Sequence, residues 1–398
     1  MPPGPLPTAG SAGDILQLVR DGQAATRNEV MEVTGLSRST VMSRIAALLG
    51  AGLLTETPEA GRSSGGRPPA TLAFNERAGV VLAGDLGAGH GRLAVFDLGG
   101  VTLVEREEAV RIADGPDPVL QWVGDTFDAL LAAAGCKPRD VLAVGLDVPG
   151  PVDVSAGCPV SPPIMPGWDG HPVVDALSGR FDCPAFLERD VNAMAIGEHR
   201  RHWPDLPNMV FVKVATGIGA GVISDGALLR GNHGQAGDIG HIRAINESDV
   251  LCTCGNHGCV GAVASGKAIV RELRGQGLDV STSADVVALV RAGHAGATHH
   301  VRESGRLLGA ALAVVVSVVA PTAIIIGGGL AEASEPLLAG IRESVYQRSS
   351  PLATGELRIL TSRLGARAGV IGAATIAIEN ALSPASIDAL VARRAVAA

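Results

Sequence analysis

Residues 231–261 read GNHGQAGDIGHIRAINESDVLCTCGNHGCVG and hold His241, Cys252, Cys254 and Cys259. Three cysteines spaced C-x-C-x4-C, with one imidazole upstream, form a soft donor set suited to tetrahedral zinc. Ordinary reduced or buried thiols are the alternative. They explain poorly three cysteines flanked so closely by Gly255, Gly258 and Gly261. Four protein ligands leave no open position for water, so such a metal is structural.

The remaining cysteines, Cys136, Cys158 and Cys183, stand singly. That is no disulfide framework, and it favours a reducing cytoplasm. With 398 residues, 46% hydrophobic and net charge −8, the chain has material for two or three domains and a large core. Glycine is abundant, at 53 residues, in short runs that suit backbone approaching a ligand. Aromatic content of only 3% argues against holding a base or sugar mainly by stacking. The start, MPPGPLPTAGSAGD, lacks the basic and apolar regions of a signal peptide. Leu307 to Ile326 carries no charge and has the length of a membrane span. Pro321 divides it, however, into a helix-length segment and a short Ala-Ile-Ile-Ile strand ending at Gly327-Gly328-Gly329. A buried helix and a buried strand are expected there, with no membrane association.

Residues 1–12 are Pro/Gly/Ala-rich and read as disordered. Three short helices follow, the first marked by Ile15, Leu16, Leu18 and Val19 and the second capped by Thr26. The turn Thr34-Gly35-Leu36 leads to Ser37, the N-cap of a third helix with Val41, Ile45 and Leu48 on its apolar face. This is helix-turn-helix spacing. Arg38, Ser39, Thr40, Ser43 and Arg44 then face outward, the residue types that meet phosphates and base edges of double-stranded DNA. Two short strands around GRSSGGRPPA would form a wing placing Arg62 and Arg67 toward a minor groove. A helical protein-docking module is the alternative, since residues 1–75 carry six Arg against six acids; locally, residues 37–69 hold four Arg against Glu56 and Glu59. A winged helix-turn-helix is expected over 13–75. From Val80 the pattern becomes strand, glycine turn, strand, and it recurs at 208–226. Two related α/β lobes are expected, at 78–200 and 201–385, followed by a tail at 386–398.

The order winged helix, GDLGAGH, LERDVNAMAIGE, ATGIGAG, AGDIGH and CTCGNHGC resembles the ROK family (repressors, open reading frames, kinases) from Asp14 to about Ile378. The resemblance implies a two-lobed actin/hexokinase-like fold. Members with a winged helix are similar to sugar-responsive regulators, and shorter members are sugar kinases. Phosphate or nucleotide loops are implied at Asp85 and Gly87, at Thr216 and Gly217, and at Gly327 and Gly328. Asp190 corresponds to the base that takes the sugar hydroxyl's proton, with ATP and Mg required only if kinase activity is retained. Asp238 and His241 correspond to the Glu and His placed at the sugar, so His241 stands between metal and ligand.

Departures from the kinase pattern carry the functional expectation. Arg189 replaces Asn, and Arg offers donors only. Gly89 replaces Thr, Asp238 replaces Glu, and Gly261 replaces the Glu after the metal cluster. These changes argue against efficient phosphorylation of an ordinary hexose. Arg189 would favour an anionic ligand, or else turn away to pair with Glu188 or Glu198. The expectation is a cytoplasmic DNA-binding regulator, a homodimer or homotetramer on its operator, sensing a sugar or sugar derivative. The alternative is an ATP-dependent sugar kinase with an accessory domain. A zinc hydrolase is disfavoured by the closed ligand set.

Overall fold

The computed structural model describes residues 10–58, 70–244, 248–333 and 335–397. Helices α1 (Ala12–Arg20), α2 (Arg27–Thr34) and α3 (Arg38–Gly50) each begin at a side-chain cap. Ser11 and Thr26 form capping boxes with Asp14 and Glu29, and Ser37 accepts from the Thr40 amide. Gly35, at φ +68°, makes the left-handed turn between α2 and α3. Val41, Ile45 and Leu48 are buried as their spacing requires. Strands β1 (Leu54–Pro58) and β2 (Ala70–Phe74) pair antiparallel behind them. Arg62 and Arg67 lie outside the described residues. The expected disorder of 1–12 needs correction at its end: residues 10–12 belong to the capped start of α1.

Two five-stranded sheets follow. The first contains β3 (Val80–Leu86), β4 (Gly91–Asp97), β5 (Thr102–Glu108), β6 (Val141–Val148) and β9 (Ala185–Arg189), in the order β5-β4-β3-β6-β9. Helices α4 (Pro116–Ala133) and α5 (Val173–Phe181) cover it, and β7 (Val152–Asp153) with β8 (Cys158–Pro159) makes a small hairpin. Helix α6 (Asp190–His202) leads to the second sheet, of β10 (Met209–Val214), β11 (Ile218–Ser224), β12 (Ala227–Leu229), β13 (Ala323–Gly327) and β14 (Arg358–Thr361). Its order, β12-β11-β10-β13-β14, repeats the first: an antiparallel meander, then two strands added in parallel. The expected duplication is thus one of topology. Around this sheet lie α7 (Val260–Ala264), α8 (Gly266–Gly275), α9 (Ser283–Arg291), α10 (Ala295–Val319), α11 (Glu335–Arg348) and α12 (Pro351–Thr354). The uncharged run at 307–326 is the end of α10 plus β13, as Pro321 implied. Among the described residues no single helix is long and apolar enough to cross a membrane.

The chain ends with α13 (Ala368–Ala381) and α14 (Pro384–Ala397). α13 returns to the first sheet, where it packs on β3 and β6, while α6 packs on β10 and β11 of the second. The two helices cross at small residues. A Cβ on Gly372 would lie 1.8 Å from the Ala193 carbonyl oxygen, and one on Gly197 would lie 2.7 Å from that of Ala368. The segment 386–398, expected as a tail, is instead helix over its described residues, through Ala397. Ile387 and Leu390 are buried, Asp388 accepts from the Gly13 amide (2.9 Å), and Arg394 donates to the Ala51 and Ala78 carbonyls. Apolar residues at both ends of the chain share one core, so sequence distance hid the contact.

Candidate ligand cleft and metal cluster

The lobes enclose a cleft of about 730 Å³. Asp85, Gly87, Arg189, Asp190, Thr216, Gly217, Asp238, His241, Gly327 and Gly328 all line it. Every cleft position singled out in the sequence therefore converges on one space. They come from strand ends and the loops that follow them, where a sheet presents backbone and side chains to a ligand. Gly237 (φ +83°) shows why glycine precedes Asp238: a Cβ there would sit 2.0 Å from the Ala220 oxygen.

His241, Cys252, Cys254 and Cys259 each present a ligand atom, all within 4.8 Å of one another. The Cys254–Cys259 sulfurs are 3.7 Å apart, and Cys252 Sγ is 3.5 Å from His241 Nδ1. With Zn–S near 2.3 Å and Zn–N near 2.0–2.1 Å, tetrahedral edges come to roughly 3.5–3.8 Å, so both separations fit a shared ion. The backbone N–H of Asn256 lowers Cys254 to about 7, whereas burial and the neighbouring sulfurs push Cys259 up to about 12. Three thiolates at this spacing need a cation to coexist. The residues fit a structural zinc. Cys259 is the N-cap position of α7, and Ser265 then caps α8 at the cleft wall, so a metal held here would tie His241 to that wall. His241 Nε2 points away from the sulfurs, 4.0 Å from Asp238 Oδ2.

Arg189 requires a correction. Its guanidinium pairs neither with Glu188 nor with Glu198 but reaches Asp238 Oδ1 across the cleft at 3.2 Å. Glu188 is taken by Arg230 (2.8 Å) and by Asn192 Nδ2 (2.9 Å). Glu198, fully buried, accepts from Ser362 Oγ and from the amides of Arg363 and Leu364. With both acids occupied, Asp238 is the acceptor left to Arg189, whose charge is answered within the protein.

Asp190 begins α6, accepts from its own neighbour's amide at Val191, and receives Lys213 Nζ at 2.5 Å. Lys213 was missed in the sequence, although it is the only charge in the buried strand MVFVKV, a signal that a counter-ion must lie nearby. Burial works to lower Lys213, but Asp190, Asp85 and Asp147 outweigh it and raise it. Asp147 was also missed. It is fully buried on β6, its Cα paired with that of Asp85 on β3. Burial, then Asp85 and Asp190, push its carboxyl well above the carboxylate range.

On the N-terminal unit, Arg38, Ser39, Ser43 and Arg44 are exposed and Thr40 half-buried along one side of α3. Ser39 and Thr40 contact the Ser37 hydroxyl at 3.0 and 2.9 Å.

Two lobes of one topology around a cleft, joined by crossing helices at its floor, define an actin/hexokinase-like protein. A profile described as "ROK family" matches residues 81–380, and the chain belongs to the ROK family. It is 27% identical over 383 residues to a xylose repressor of Caldicellulosiruptor bescii, covering 93% of this chain and 95% of that protein. A glucokinase of Halalkalibacterium halodurans is 30% identical over 306 residues, covering 72% and 92%. Among solved structures, a ROK family transcriptional regulator, homologue of the E. coli MLC protein, superposes with a TM-score of 0.82. It shares 26% identity and covers 97% of this chain and 99% of that one.

Proposed function

We propose that the chain is a sugar-responsive transcriptional repressor, whose N-terminal unit binds operator DNA and whose cleft takes a sugar or sugar derivative. The observation that carries this reading is the extent of similarity. The repressor relative runs along 93% of the chain, whereas the glucokinase relative covers 72% of it. The donors along α3 supply the chemistry, because guanidinium and hydroxyl groups near a helix N-terminus contact phosphates and base edges in a major groove. Two copies in a dimer would double this footprint and read two half-sites. Zinc at His241, Cys252, Cys254 and Cys259 would brace the cleft wall. A sugar that binds one lobe arrangement more tightly would shift operator affinity by that difference.

Residual kinase activity is the second reading, favoured by the retention of Asp190 and opposed by its pairing with Lys213. The deciding experiment measures binding to the DNA fragment upstream of the chain's own gene, with and without neutral, acidic and phosphorylated sugars. Retention of the fragment and its modulation by one sugar class are expected. Tight DNA binding unchanged by every sugar would remove the sensing half. Sugar-dependent ADP production abolished by Asp190→Ala would establish the kinase.

A further inference from the structure

Three consecutive residues at the junction of β9 and α6 each pair with a different cation or anion of the second lobe. Glu188 meets Arg230 (2.8 Å), Arg189 meets Asp238 (3.2 Å) and Asp190 meets Lys213 (2.5 Å). The last pair belongs to a larger group. Asp85, Asp147 and Asp190 are 8%, 0% and 7% exposed; Lys213, from β10 on the opposite lobe, pairs with Asp190 and lies within the electrostatic reach of Asp85 and Asp147. Neither carboxyl oxygen of Asp147 has a hydrogen-bond partner while the group is ionised. Burial, with Asp85 beside it, pushes this carboxyl well above its ordinary range.

Converging buried carboxyls with unsatisfied oxygens are what a hard divalent cation selects, since Mg²⁺ and Mn²⁺ prefer oxygen ligands. A compact ammonium on a flexible stem can take such a place as a point charge. We infer that Lys213 is a tethered counter-cation standing where a divalent ion would otherwise bind among Asp85, Asp147 and Asp190. The Mg expected for a kinase therefore does not fit this cleft. The lysine closes the site electrostatically and occupies the carboxylate that would act as base. This deepens the reading of the cleft as a sensor, but it concerns cation binding alone and stands or falls without DNA.

The test is Mn²⁺ binding to the zinc-loaded full chain, followed by loss of the free-ion paramagnetic resonance signal. Wild type and Lys213→Arg should bind no Mn²⁺ at this cluster. Lys213→Gln should bind about one ion per chain, with Kd on the order of 0.1–1 mM, and lose it when Asp147→Asn is added. Circular dichroism and zinc content report folding. Should Lys213→Gln unfold in metal-free buffer, rescue by millimolar Mn²⁺ supports the inference and failure of rescue overturns it. Equal Mn²⁺ binding by wild type and Lys213→Gln, or none by either folded protein, also overturns it. DNA retention measured on the same wild-type sample tests the regulator reading separately.

Discussion

Replacing Gly372 by alanine tests the helix crossing that sets the cleft. The new Cβ would lie 1.8 Å from the Ala193 carbonyl oxygen and 2.3 Å from its carbon. An ordinary carbon–oxygen contact is roughly 3.3 Å, so α6 and α13 must separate by about 1.5 Å. The obstacle is backbone in a helix, which cannot rotate away as a side chain would. Overpacking at the upper end of its usual range costs about 3 kcal/mol. Alanine recovers about 1 kcal/mol in helix propensity, leaving a net loss of ~2 kcal/mol. Gly179→Ala is the control: Gly179 lies inside α5, and beyond its chain neighbours and its own helix backbone nothing lies within 4 Å of a new Cβ, so the same change should stabilise by about 0.5–1 kcal/mol. Urea unfolding of both variants and wild type, read by circular dichroism, gives midpoints on opposite sides of wild type. Effector response should weaken in Gly372→Ala, because Asp190 opens α6 and moves with it. A Gly372→Ala midpoint equal to or above that of Gly179→Ala would refute the close-packing argument.

Further outcomes follow from other contacts. Cys254→Ser should abolish stoichiometric zinc in a metal assay and raise hydrogen exchange around 238–261 before global unfolding; retention of both zinc and effector response contradicts the brace. Asp147→Asn should raise thermal stability at pH 8 more than at pH 5. The raised Asp147 carboxyl contributes stability that is full below the ordinary carboxylate value and lost as pH rises through its folded value; an advantage that shrinks with pH refutes this. A double-mutant cycle with Arg189→Ala and Asp238→Ala should give a coupling of at most about 1 kcal/mol, because Asp238 is 42% exposed; a much larger coupling in urea unfolding would show that the pair is effectively desolvated. Ile387→Ala, at a fully buried site, should cost about 2–4 kcal/mol and weaken operator retention; unchanged stability refutes the docking of α14.

Local rules made much of this legible. Ser37, Gly35 and the Val41-Ile45-Leu48 stripe located α3, and Pro321 separated α10 from β13. The cysteine spacing located the His/Cys cluster that could hold a metal ion, since its chemistry lies within one segment. Residues that met only through the fold were less visible. Asp147 and Asp85 become neighbours through strand register, and Lys213 reaches Asp190 beside them only when the second lobe faces the first. Of the two expectations for Arg189, the pairing with Glu188 or Glu198 fails because those glutamates, close in sequence, are bound elsewhere, and Asp238 is reached instead. α14 was missed because much of its packing is against the far end of the chain, as in the contact of Asp388 with Gly13, 375 residues upstream.

That terminal helix changes how the N-terminal unit is connected to the cleft. Ile15, Leu16, Val41 and Ile45 share a core cluster with Val81 and Phe96 of the first sheet, Ala373 of α13 and Ile387 of α14. A reading head on a flexible tether would own a separate core, and motion of the lobes would reach it only as a change of distance. Here the sheet that carries Asp85 and the helix that crosses α6 are packed against the residues that position α3. Packed interiors transmit displacement because they lack free volume to absorb it. A shift of α13 against α6, the crossing held at Gly372, therefore bears on the seat of α3 through direct contact. The same continuity explains why the interlobe ties at Glu188, Arg189 and Asp190 matter beyond the cleft: they hold the start of α6, just before its crossing with α13 at Ala193.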